Sequence, residues 1–260
     1  MKVLLWETSA VPWGVGVAEM DNGKSTLLAH FEDDGARTLA RQLIHSVDQT
    51  LNEAECALSD IDACAVSLGP GSWTGLRIGL TAAKTISQSL NLPIVGIATF
   101  DIFAEAIHNY SRHSEGTIAT EESSKVSTEY LLLIQAPCRP GELYAKLWHC
   151  HGAERDLLEA EWIGTYAQIN SRLEFWMQDL NVSKTVTNAP DLKIEEPLQK
   201  AISSPLEWRK STFSQRLQAF GKLAAHKMRD DQYDDVLKIQ PIYLAPSAAE
   251  REYNAKHHRK

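Results

Sequence analysis

The sequence predicts an α/β protein of two related lobes. Three strand-like segments run in succession from the N-terminus, and a βββαβα order fills the first hundred residues. The second half then repeats strands followed by helices in weaker form, as an internal duplication would. At 260 residues the chain is long enough to bury two cores. Its 43% hydrophobic and 23% charged residues are ordinary for a globular protein and exclude a disordered one.

Lys2 to Ser9 reads as a strand and Trp13 to Met20 as a second. Asp21-Asn22-Gly23 is a tight-turn signal, and Lys24 to Phe31 completes an antiparallel meander. From Ala36 the period changes: Leu39, Leu43, Val47 and Leu51 recur every fourth residue, which predicts an amphipathic helix. A buried strand follows at Asp62–Leu68, then a glycine-rich turn, a helix from about Leu76 to Leu90, a strand at Pro93–Thr99 and a helix at Phe100–Tyr110. Residues 1–110 therefore form a first lobe. Residues 111–128 are polar and read as a linker or long loop. Residues 129–260 form a second lobe, with strands at Glu129–Ala136, Glu142–His149 and Lys184–Thr187 and a helix at Ser214–Met228. The terminal extended segment Gln240–Ala245 is a candidate to return to the first lobe.

Net charge is −8, so the surface as a whole offers little pull on a phosphate backbone. The one basic cluster is the tail, Arg251 with Lys256 to Lys260, which reads as a solvated end. None of the four cysteines forms a C-x-x-C pair, and no apolar run has the length of a signal core or membrane span. The expectation is a reduced cytoplasmic protein. No metal centre is expected either. His45 is alone on its helix, His108 and His113 read as solvated, and His149 and His151 share a strand face without a carboxylate pattern nearby. Trp162, Trp176 and Trp208 lack interleaved basic residues and read as packing residues, not as a base-stacking platform.

The sharpest motif is Gly69-Pro70-Gly71-Ser72-Trp73-Thr74-Gly75-Leu76-Arg77-Ile78-Gly79. A strand delivers the chain to glycines that allow close approach, and Ser72 or Thr74 can cap the helix that starts there. Chemistry alone leaves two readings open, a phosphate at the helix N-terminus or tight structural packing. As a string, the motif is similar to the signature of the TsaB family. Val3-Leu4-Leu5-Trp6-Glu7-Thr8-Ser9 resembles that family's first strand and its D-T-S turn, and Leu92 to Ile97 its strand after the helix. Gln135-Ala136 through Glu142-Leu143-Tyr144-Ala145 resembles its D-A-R…E-V-Y-x-A segment, and Gln240-Pro241-Ile242-Tyr243-Leu244 its closing P-x-Y-L. The match is close over residues 1–105, patchy to 150, thin to 239, and returns at the end.

The resemblance implies an actin-like ATPase (ASKHA, ribonuclease H-like) fold. It also implies a place beside a TsaD-like catalytic subunit that transfers a threonylcarbamoyl group to the adenosine next to the tRNA anticodon. A TsaE-like ATPase would dock on the pair, and tRNA would be met mainly through those partners. The first two helices would form the pairing surface, with Leu39, Leu43, Val47, Leu76, Leu80, Ala83 and Ile86 as its residues. Such a surface also permits a homodimer. Catalysis by this chain is not expected, because the catalytic relative's His-x-x-x-His pair is absent from the first helix. Glu7 and Gln135 also replace acids that organise magnesium and phosphate in actin-like kinases. Glu7, Thr8, Ser9, Gly69, Gly71, Ser72 and Arg77 remain candidates for a phosphate or nucleotide contact. ATP or ADP would then sit at a subunit junction, with no cofactor required by this chain alone. The alternatives are a self-associating scaffold of the same fold and a nucleotide-dependent transferase.

Overall fold

The structure is a computed structural model that describes residues 1–35, 37–114, 129–188 and 192–244. Strand β1 (Lys2–Glu7) is apolar from Val3 to Trp6 because it lies at the centre of a sheet covered on both faces, where those four residues are fully buried. It pairs antiparallel with β2 (Trp13–Asp21), which turns through Asn22 and Gly23 into β3 (Lys24–Asp33). Both turn residues have positive φ, 47° and 79°, as a two-residue hairpin requires. Helix α1 (Leu39–Glu53) leads to β4 (Ala63–Ser67), α2 (Trp73–Leu90), β5 (Ile94–Ile97) and α3 (Thr99–Ser114). The first sheet has the order β3-β2-β1-β4-β5.

The second sheet repeats this plan. Strands β6 (Tyr130–Arg139), β7 (Glu142–His151) and β8 (Glu154–Thr165) form a meander, followed by α4 (Tyr166–Asp179), β9 (Thr185–Asn188), α5 (Leu192–Ala201) and β10 (Leu206–Arg209). Its order, read from the meander, is β8-β7-β6-β9-β10, the order of the first sheet strand for strand. In both lobes the first strand pairs antiparallel with the second and parallel with the fourth.

The layers follow from which faces are apolar. Helices α1 and α2 cover one face of the first sheet, burying Leu39, Leu43, Val47 and Leu80 against Leu4, Trp6 and Val66. The opposite face takes Phe213, Leu217, Phe220 and Ala224 of α6 (Phe213–Arg229). Helix α3 stands between the sheets, with Ile102 in that second cluster and Phe100, Ala104 and Ile107 against Leu132, Ile134 and Val186 of the second sheet. Helices α4 and α5 close the far side through Ile169, Leu173 and Leu198. Charged pairs of α3 join the lobes: Glu105, which also binds Lys222 of α6 at 2.5 Å, binds Arg155 of β8 at 3.3 Å, and Asp101 binds Lys146 of β7 at 2.7 Å.

The second lobe thus ends at β10. Helix α6 and the chain beyond it pack on the first sheet, so the lobe boundary expected at residue 260 falls before Phe213. Ile242 donates its N–H to Leu68 O at 2.7 Å, and Lys84 reaches Ile239 O at 3.2 Å. Of the expected linker, residues 111–114 continue α3, whose hydrogen-bonded turns outlast its apolar stripe; the remainder lies outside the described residues, as does the basic tail.

Candidate functional site

The glycine-rich turn brings the start of α2 onto the end of β1. Ser72 N–H donates to Ser9 O at 2.7 Å, and Ser72 Oγ accepts from Gly75 N at 3.2 Å, capping the helix. The glycines are required by approach. A Cβ on Gly71 would lie 2.3 Å from Ser9 O, one on Gly75 2.1 Å from Thr8 O, and one on Gly79 2.0 Å from Thr8 Oγ1. Gly69, at φ 100°, is clasped by Thr99, which takes Gly69 O on its N–H at 2.8 Å and accepts from Gly69 N through Oγ1 at 3.0 Å. Of the two readings of this motif, close packing is the one these contacts express.

The expected phosphate residues fall in different environments. Glu7, Thr8 and Ser9 are buried. Glu7 turns inward, accepting from Ser9 N at 3.0 Å and from the Ser9 hydroxyl, while its other oxygen makes no hydrogen bond among the described residues. Burial pushes the Glu7 carboxyl above its ordinary range, against the opposing pull of Arg216 and Ser9. A carboxyl held this way does not face solvent as a magnesium-bound phosphate would need. Arg77 is exposed, with its guanidinium 5.9 Å from the Trp73 ring centre, and Trp73 stacks at 4.1 Å on Tyr243 of the returning segment. A groove of about 430 Å³ lies beside the turn, with Thr8, Arg37, Ser72 and Thr74 among its lining. A larger cavity, about 940 Å³, lies elsewhere, between β3, α3 and α6.

The residues expected to form a pairing surface are corrected by the structure. Leu39, Leu43, Val47, Leu76, Leu80 and Ala83 are all at most 5% exposed and face their own lobe, and Ile86 is half-buried against the same core. The four-residue period marks the face a helix turns inward, and here the inward face meets the sheet. What α1 and α2 turn outward is a shallow groove of about 410 Å³, floored by an edge of buried Leu43 and lined by Ala40, Ile44, Arg77, Ile78, Thr81 and Ala82. Ile44 is 59% exposed there, a large aliphatic side chain without cover. The break in the polar pattern at Ile44, one position after Leu43, was the available signal for this second face.

Among the histidines, His45 is exposed on α1. His108, expected in solvent, is buried, with Nδ1 2.9 Å from the Tyr130 hydroxyl, because α3 continues past it beneath the second sheet. His149 and His151, for which the sequence offered no carboxylate, lie beside Glu129 and Asp156. Trp162, Trp176 and Trp208 pack on the core of the second lobe, and Trp176 and Trp208 donate to Glu159 and Gln199 at 2.8 and 3.1 Å. Gln135 is buried and exchanges hydrogen bonds with Asn188.

Two lobes of like topology, with helices on both faces and between the sheets, define a protein of the actin-like ATPase fold. A solved Pseudomonas aeruginosa structure, described as an uncharacterized protein with similarity to peptidase YEAZ, superposes at TM-score 0.67 over 94% of this chain and 99% of that one, at 18% identity. In sequence, residues 33–116 match the model of the TsaD family, tRNA N6-adenosine threonylcarbamoyltransferase. The Bacillus subtilis tRNA threonylcarbamoyladenosine biosynthesis protein TsaB is 30% identical over 119 residues, 46% of this chain and 48% of that protein. A Lactobacillus acidophilus tRNA N6-adenosine threonylcarbamoyltransferase is 47% identical over 49 residues, 19% of this chain and 14% of that one. The chain thus spans at most about half the length of these curated relatives. The chain is thus similar to TsaB proteins in sequence over its first lobe and to a YeaZ-like structure in fold over nearly its whole length.

Proposed function

We propose that the chain is a non-catalytic partner subunit in tRNA threonylcarbamoyladenosine biosynthesis, pairing through the outward face of α1 and α2 with a TsaD-like transferase. The observation that carries this reading is the uncovered apolar stripe of Ala40, Ile44, Ile78 and Ala82 on the helices within the matched segment, rimmed by Arg77 and Thr81. An apolar stripe with a charged rim is the usual anatomy of a protein–protein contact. The inward-turned Glu7 and the amide-paired Gln135 support a chain that holds no nucleotide of its own; ATP or ADP, where used, would sit at the junction with the partner. A TsaE-like ATPase would join the pair, and tRNA would be contacted chiefly by the partners, in keeping with the acidic net charge. No described helix is long and apolar enough to cross a membrane, and the proposed setting is the cytoplasm.

Reconstitution tests the proposal. Threonylcarbamoyl transfer to tRNA by the source organism's TsaD-like protein should depend on added wild-type chain and fall at least tenfold with Ile44→Glu. The chain alone should transfer nothing and show no ATP binding by calorimetry. Transfer by the isolated chain, or full support of transfer by Ile44→Glu, would contradict it.

A further inference from the structure

We propose that His149, His151 and Asp156 form a binding site for one divalent transition-metal ion of the zinc class. His149 and His151 sit two apart on β7, so both rings leave the same face of the second sheet. Strand β8 runs antiparallel to β7 with His149 opposite Asp156 and His151 opposite Glu154. Register alone therefore delivers a carboxylate to the histidine pair, which the linear sequence conceals. One ligand atom from each of His149, His151 and Asp156 lies within 4.8 Å of the other two, and the two rings are 5.1 Å apart between centres. A tetrahedral site with bonds near 2.1 Å separates its ligand atoms by about 3.4 Å, so small side-chain rotations would close the distance.

The donor set selects the ion. Two imidazoles and one carboxylate suit zinc, cobalt, nickel or copper, whereas calcium and magnesium prefer oxygen alone. His149 Nε2 is buried and hydrogen-bonds to nothing among the described residues, although a Glu129 oxygen stands 3.3 Å away out of hydrogen-bonding line. That nitrogen is thus a donor atom with no hydrogen bond to give up among the described residues. His151 Nε2 holds Asp156 at 2.7 Å, the contact an ion would replace. Glu129, just before β6, or Glu154, 3.9 Å from His151 Nδ1, can supply a fourth ligand. Cys150 is excluded: it points to the other face, and burial pushes its thiol up to about 12. Bound metal would tie the edge strand β8 to β7 and to the start of β6.

Zinc titration of chelator-treated full-length protein by calorimetry provides the test. The tail also carries His257 and His258, so the His257→Ala/His258→Ala variant is titrated in parallel. One equivalent should bind to wild type and to the tail variant alike. Affinity should fall at least tenfold in His151→Gln and in Asp156→Asn, a half-buried and an exposed position whose variants are checked for unchanged circular dichroism. Zinc should raise the melting temperature of wild type and leave that of His151→Gln unmoved. Equal zinc affinity in wild type and His151→Gln, or binding abolished by the tail variant alone, would overturn the site.

Discussion

The two lobes share one strand order and differ in how they hold it. In the first, β4 runs through the glycine turn into α2, whose Gly71 and Gly75 press on the backbone of Ser9 and Thr8. The contact leaves no room for a single methyl group. The second lobe shows side-chain contacts on its outer side, with Arg172 over the Trp162 ring at 4.7 Å, Trp176 on Glu159 and Trp208 on Gln199. The ends of the central strand pairs show the same divergence. Thr8 N–H reaches Ser67 Oγ at 3.4 Å beside the buried acid Glu7, while Gln135 N–H reaches Asn188 Oδ1 at 2.8 Å in a wholly neutral pair. Backbone-tight packing tolerates little change, and side-chain packing tolerates much. The family match covers residues 33–116, which include the glycine turn and α2.

The largest effect expected is on the tight lobe. Leu80→Glu puts a charge in a site 5% exposed, and should cost about 4 kcal/mol or more, seen as loss of cooperative melting by circular dichroism. Survival of that variant with normal melting would show that α2 is not clamped as described. A smaller pair of effects contrasts the two strand ends. Gln135→Glu buries a carboxylate against Asn188 and should cost roughly 1–3 kcal/mol or more at neutral pH. Glu7→Gln should act in the opposite direction. The folded-state pKa of Glu7 is raised, so its contribution is fully present below the unfolded value and lost as pH rises through the folded one. The variant should therefore gain on wild type in denaturant midpoint as pH rises from about 4 to 8. A gap that stays constant across that range would contradict the inward, desolvated Glu7.

The meander, α1, α2, α3 and α6 were legible because each carries a long, regular apolar pattern. The lobe duplication was legible only in outline. Helix α4 was missed although Thr165 and Gln168 spell a capping box, since its buried residues are only Ile169 and Leu173. Helix α5 was hidden by Pro197 in its interior. At the site, periodicity marked the helices correctly and their faces misleadingly. Leu39 to Val47 shows where a helix buries itself and is silent on whether sheet or partner does the burying. The His149–Asp156 juxtaposition depends on strand register, which spacing along the chain does not contain.

The most direct test is light scattering after size exclusion on the chain mixed with the TsaD-like protein of its source organism. Wild type should yield a species at the mass of the mixed complex. Ile44→Glu, changing a 59% exposed residue, should melt normally and yield the separate proteins. A mixed species that forms equally well with Ile44→Glu, or none with wild type, would contradict pairing through the outward face of α1 and α2.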